Sequence, residues 1–206
     1  MTEETPASAG YPVAYDVEPQ IAERNRLTVA FRPILAIPQS LLVGEPGEDV
    51  GGGVVGWAAT VMAIISWFAI VFTGRQPRGL WDFTNLYMRW RGNAVAYMAL
   101  LRDKYPPFGS GDGSYPASFS AGTFPETRNR WSVGLRLIYA IPQLIVLFFL
   151  GIAWLVTVII AWFAILFTGR YPEGLYTFGV GYMRWSLRVE SYLLLMRDEY
   201  PPFSFD

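Results

Sequence analysis

Cysteine and histidine are both missing from the 206 residues. Without cysteine there are no disulfides, thiolate nucleophiles, iron–sulfur clusters or thiolate zinc sites. Without histidine the commonest general base, metal ligand and haem ligand are gone. Charge is also scarce: Asp, Glu, Lys and Arg make up 16% of the chain, against about a quarter in a soluble domain. The net charge of −1 gives no basic excess for a nucleic-acid partner. The sequence has no P-loop, no dinucleotide fingerprint and no nucleophile elbow. No Asp, Glu or Lys falls within the long apolar runs, where an ion-coupled transporter would keep one. These gaps argue against an enzyme and predict no cofactor and no metal. The acidic stretch Glu45, Glu48 and Asp49 has too few carboxylates and the wrong spacing for an EF-hand, and reads as a solvated loop.

What is abundant is apolar and aromatic: 52% and 17% of the residues. One unit is written twice. Residues 24–39 and 128–143 align at an offset of 104 with 10 of 16 identical. Residues 67–108 and 162–203 align at an offset of 95 with 24 of 42 identical. The offset falls by nine because the first copy carries an extra acidic, Gly-rich loop around 45–53. The chain therefore divides into a flexible tail (1–10), repeat 1 (11–108), a Gly/Ser linker (109–114) and repeat 2 (115–203). The tail has neither the basic start nor the apolar stretch of a signal peptide. Alternation over Val13–Glu18 predicts a short cytoplasmic strand leading repeat 1, with a weaker counterpart at Ala117–Ala121.

The apolar runs lie at 27–44 and 54–72, on either side of the acidic loop, and at 131–167. All 16 Lys and Arg fall outside 37–71 and 137–169. The positive-inside rule then puts both ends of the stretches 27–72 and 131–167 on the cytoplasmic side, so each stretch is predicted to be a transmembrane helical hairpin. The second run also has the length of a single long tilted helix, but that would set Arg128 and Arg170 on opposite faces. The expected fold is an all-α, multi-pass protein of the bacterial cytoplasmic membrane with both termini cytoplasmic. Pro38 and Pro142 predict kinks, with Gln39 and Gln143 beside them able to bond across helices.

After each Thr-Gly-Arg, apolar residues recur at three- and four-residue steps over 79–103 and 174–198. These segments are predicted to be amphipathic helices, in the membrane interface or against their repeat mate, each stopped by a Pro-Pro pair. Arg75, Arg78, Arg89, Arg91, Arg170, Arg184 and Arg188, with Trp90 and Trp185, are the candidates for contact with lipid headgroups or a partner. Arg32 and Arg136 are expected to snorkel or to bond carbonyls at the cytoplasmic face. Arg102-Asp103 and Arg197-Asp198 are candidates for pairing with the other repeat.

The repeated patterns Arg-x-x-x-Ala-Ile-Pro-Gln, Trp-Phe-Ala-Ile-x-Phe-Thr-Gly-Arg-x-Pro-x-Gly-Leu, Tyr-Met-Arg-Trp and Arg-Asp-x-Tyr-Pro-Pro-Phe resemble a domain-of-unknown-function family abundant in actinobacteria. The resemblance covers nearly all of 11–203. It implies small integral membrane proteins built from hairpin-plus-amphipathic-helix units, often in tandem, and no particular activity. The expected role is a non-enzymatic accessory or scaffold subunit, with membrane lipids and other membrane subunits as partners. The alternative is lipid binding or lipid transport in the groove between hairpins.

Overall fold

The structure, a computed structural model, describes residues 11–47 and 51–206. The tail at 1–10 and the acids Glu48 and Asp49 lie outside the described residues. The elements in order are β1 (Ala14–Val17), α1 (Arg26–Ala30), α2 (Arg32–Val43), α3 (Gly53–Thr73), α4 (Arg78–Met98), β2 (Ala117–Ser120), α5 (Arg130–Gly134), α6 (Arg136–Thr168) and α7 (Glu173–Leu193).

Repeat 2 has no hairpin. From Arg136 onward its apolar run is the single helix α6, 33 residues long, or about 50 Å at 1.5 Å per residue. Repeat 1 builds the same helix in two pieces. The buried face of α6 is Arg136, Ala140, Gln143, Leu147, Trp154, Ala161 and Ile165. Arg32, Ala36, Gln39 and Val43 of α2 and Gly56, Ala59, Ala63, Ser66 and Ile70 of α3 form the matching stripe. The step from Val43 to Gly56, less the nine inserted residues, is four, so the helical phase carries through the break. A Cβ on Gly53 would lie 2.5 Å from the carbonyl carbon of Leu42, which stacks the start of α3 directly on the end of α2. The insertion therefore leaves the helix and re-enters it at the same point. Charge placement pointed to a hairpin because the acidic insertion imitates a hairpin tip.

Each long helix ends at Thr-Gly-Arg. Gly74 and Gly169 are left-handed, at φ 74° and 71°, the conformation glycine tolerates best at a helix end. The preceding threonine hydroxyls donate back to the carbonyls of Ala69 and Ala164. Pro77 and Pro172 then start α4 and α7, and each runs back along its own long helix. A Cβ on Gly56 or Gly151 would stand 2.9 Å from the hydroxyl of Tyr87 or Tyr182, so these glycines let the neighbouring helix approach.

The amphipathic helices are shorter and more deeply placed than their periodicity suggests. Residues 91–101 are all buried, as is α7 from Gly179 to Tyr192 apart from half-buried Arg184. They pack against their own long helices and the strand of the other repeat, with a smaller contact between α4 and α7. They also stop about five residues before the expected ends. Leu100 and Leu195 adopt left-handed φ of 62° and 61°, and Leu101 N–H and Met196 N–H reach back to the carbonyls of Ala96 and Ser191. That closes each helix before Pro-Pro is reached.

The leading strands pair with each other, antiparallel, with Tyr15 opposite Phe119. These are equivalent positions of the two repeats, so a local pseudo-two-fold axis passes through that pair. Tyr15 and Phe119 face inward onto Gly92 of α4, while Ala14, Asp16, Ser118 and Ser120 face outward. Three layers result: the long helices, then α4 and α7, then the two-stranded sheet.

Candidate functional site

The polar interior is a set of buried ion pairs, two of them copies of one design. In repeat 1 the carboxylate of Asp103 accepts from Arg24 at 2.6 Å, Arg32 at 2.8 Å and the backbone N–H of Asn25 at 2.9 Å. In repeat 2 Asp198 accepts from Arg128 at 2.7 Å, Arg136 at 2.7 Å and Asn129 N–H at 3.0 Å. Burial alone would raise the pKa of either aspartate. The hydrogen bonds and charges of the two arginines outweigh that and hold both below the ordinary carboxylate value. Asp103 and Asp198 thus bond arginines of their own repeat, not of the other.

Each residue of Arg-Asn-Arg has its own task. Arg24 and Arg128 bind the aspartate and also donate to the strained Leu100 and Leu195 carbonyls. Asn25 and Asn129 cap α1 and α5. Arg26 and Arg130 lie beside Gly169 and Gly74, at the C-terminal end of the other repeat's long helix, where the dipole favours a cation. The repeats interlock at these ends. Trp67 Nε1 donates to Val133 O at 3.1 Å and Trp162 Nε1 to Val29 O at 2.9 Å. Arg24 N–H bonds Gly169 O, and Arg128 bonds the Gln76 side chain. Arg32 and Arg136 reach the carbonyls of Tyr97 and Tyr192, as expected of them, and lie over those tyrosine rings at 3.8 and 4.3 Å.

The third pair has no counterpart. Where α4 meets α7, Arg91 Nε donates to Glu190 Oε2 at 2.7 Å and Tyr87 OH to Glu190 Oε1 at 3.0 Å. The Arg91 and Glu190 side chains are 2% and 0% exposed. Arg91 also donates to Val43 O at 2.5 Å and Glu45 O at 3.2 Å. Those are the carbonyls that the break between α2 and α3 leaves without helical partners. Repeat 2 has Ser186 and repeat 1 has Val95 at the matching positions.

The sequence-predicted contact residues divide by exposure. Arg75, Arg78, Arg89 and Arg170 are exposed. Arg184 is half-buried and held by Asp16 at 2.8 Å and Tyr15 O at 2.9 Å. Arg91 is internal. Arg188 is buried and bonds Ser204 O, and burial, followed by the nearby Arg184 charge, lowers its pKa. Trp90 and Trp185 point at the proline positions: their indole N–H groups donate to Gln39 and Gln143 at 2.8 and 2.7 Å. Those glutamines donate in turn to Pro106 O and Pro201 O. Pro38 and Pro142 both sit inside continuing helices, and the glutamines beside them are locked within the chain.

Sequence reasoning missed the Arg24–Asp103 and Arg91–Glu190 links. The first was signalled by charges recurring in both copies, the second by a charge gained in each copy where the other has none. Two grooves flank the long helices. One, about 1020 Å³, lies between α3 and the start of α6 and is lined by Trp57, Ile64, Phe68, Arg136 and Leu144. The other, about 580 Å³, lies between α2 and the second half of α6, with Arg32, Ile37, Trp154, Ile159 and Trp162. Among the described residues two helices, α3 and α6, are long and apolar enough to cross a membrane, and most of each apolar stretch is not buried within the protein. Among the described residues no cluster of three metal-binding side chains forms.

No curated protein and no solved structure matches the chain. Residues 26–110 and 130–204, most of both repeats, match the family described as Domain of unknown function (DUF4389), and the chain belongs to that family.

Proposed function

We propose that the protein is a non-enzymatic constituent of the bacterial cytoplasmic membrane, acting as an accessory or scaffold subunit of a larger assembly, with its termini on the cytoplasmic side. One observation carries this reading. Among the described residues, 29 of 35 exposed large apolar side chains lie from Leu27 to Phe72 or from Trp131 to Phe167. A surface of that extent needs lipid or protein to cover it. The polar interior supports a structural role, since its guanidinium and carboxylate groups are engaged in holding helices together. Gentle extraction followed by native mass spectrometry tests the proposal: a stoichiometric second polypeptide is expected, and a free monomer or homo-oligomer argues against it.

A second reading, lipid binding or transport, is favoured by the two grooves, each apolar with a buried arginine at its edge. Lipid analysis of the purified protein tests it; recovery of only bulk membrane lipid in bulk proportions counts against a selective site.

A further inference from the structure

We infer that the long helices lie in the plane of the membrane, within one leaflet, and do not cross it. The surface concerned is the outer face of α1–α3 and α5–α6, and its partner is a lipid monolayer with anionic headgroups. This rests on the reading that the apolar face meets lipid, and goes beyond it by fixing the orientation.

Four observations carry the inference. First, the pseudo-two-fold axis runs through the Tyr15–Phe119 pair, the α4–α7 contact and the space between the two long helices. It is therefore transverse to those helices. If α6 crossed a bilayer, the axis would lie in the membrane midplane and so would the sheet. Second, the outer face of the sheet is polar: Asp16 is exposed and pairs with Arg184, beside Ser118 and Ser120. Arg89, midway along α4, is exposed as well. A crossing would put these groups, and both open strand edges, at hydrocarbon depth, which lipid does not tolerate. Third, each long helix is about 50 Å long, against a hydrocarbon core of about 30 Å, and buries only one narrow stripe along its length. Such a helix fits an in-plane seat with its free sides in acyl chains. Fourth, exposed arginines stand at both ends of the helix pair: Arg26 and Arg170 at one, Arg75, Arg78 and Arg130 at the other. A crossing would divide them between the two membrane faces. An in-plane seat keeps all of them at the same headgroup level and satisfies the positive-inside rule without any hairpin.

The absence of cysteine makes the test direct. Ile138→Cys, Ile152→Cys and Phe167→Cys mark the start, middle and end of α6 at exposed sites on the face opposite its buried stripe. Thr127→Cys and Glu173→Cys flank its ends, and Ser118→Cys marks the sheet. In vesicles carrying the full-length protein, depth-dependent quenching by labelled lipids is expected to place fluorophores at 138, 152 and 167 at one common shallow depth, about 5–10 Å below the headgroups. An impermeant maleimide is expected to reach 118, 127 and 173 from one and the same side. Reaction of 127 and 173 from opposite sides, with 152 deepest, overturns the in-plane seat while leaving the membrane reading intact. Ready quenching of all three α6 labels by an aqueous quencher overturns both. Oriented circular dichroism of the unmodified protein in aligned bilayers measures the same orientation without substitutions: helices lying along the surface support the inference, and helices along the normal refute it.

Discussion

Repeat 1 and repeat 2 build the same 50 Å helix, but one has swallowed nine extra residues and the other has not. The cost of the insertion is a set of backbone carbonyls at Val43 and Glu45 without helical partners. Arg91 meets it by donating to both. A guanidinium placed there is buried and needs an anion, which Glu190 supplies from the other repeat. The insertion, Arg91 and Glu190 thus form one physical unit, and repeat 2 does without the arginine because its helix is unbroken. The Arg-Asn-Arg turns and their aspartates are built the same way in both copies. The lesson is that an interruption in a helix can be tolerated when its open carbonyls are capped from the side, and that the cap can become the bond between two halves of a molecule.

The comparison can be broken most severely at its centre. Glu190→Ala takes the Glu190 carboxylate away from the buried Arg91 guanidinium, and is expected to cost about 3–5 kcal/mol of stability, read from denaturant midpoints in detergent micelles. The matching Val95→Ala removes two methyl groups, about 1–2 kcal/mol. Making repeat 1 resemble repeat 2, by deleting 44–52 with Arg91→Ser and Glu190→Val together, is expected to recover most of what Arg91→Ser alone loses. If the combined variant is no more stable than Arg91→Ser, the three features are not one unit.

A smaller effect is expected at the duplicated aspartates. Asp103→Asn and Asp198→Asn each weaken charge-assisted hydrogen bonds, about 2–3 kcal/mol. The larger loss is expected at Asp103, whose side chain is 10% exposed against 21% for Asp198. Both carboxyls have folded-state pKa values below the ordinary one. Their stabilisation is therefore complete above about pH 4 and disappears as pH falls through the lowered folded values. Unfolding followed between pH 6 and pH 2 should show this acid loss in the native chain and a shallower one in the double variant.

Trp67→Phe and Trp162→Phe remove equivalent indole bonds between the repeats. Each is expected to cost about 1 kcal/mol, and the two should add, because the sites are far apart. Arg89→Ala, at an exposed position, should change stability by less than about 0.5 kcal/mol.

Much of this was legible in the sequence, for a definite reason. A duplicated unit reports its own essential residues: Arg-Asn-Arg, Ala-Ile-Pro-Gln and Thr-Gly-Arg recur because each fixes a cap, a helix contact or a helix end. The strands were legible from alternation over Val13–Glu18. The path of the apolar run was not. Lys and Arg counts place loops relative to a membrane only if the helices cross it, and the acidic insertion has the composition of an extracellular tip. Nor could periodicity tell an interfacial helix from an internal one, since Arg91 and Arg188 read as surface charge until their partners, on distant parts of the chain, are known. The partner of Glu190 lies 99 residues away, beyond the reach of local periodicity.

The strand pairing carries one more implication. Each repeat contributes one strand to the sheet and leans the end of its long helix on the opening turn of the other. Half of this molecule, expressed alone, would bare a β edge, an indole without its acceptor and a helix terminus without its arginine. A solitary unit would have to pair with a second copy to satisfy all three, and the tandem chain carries that second copy within itself.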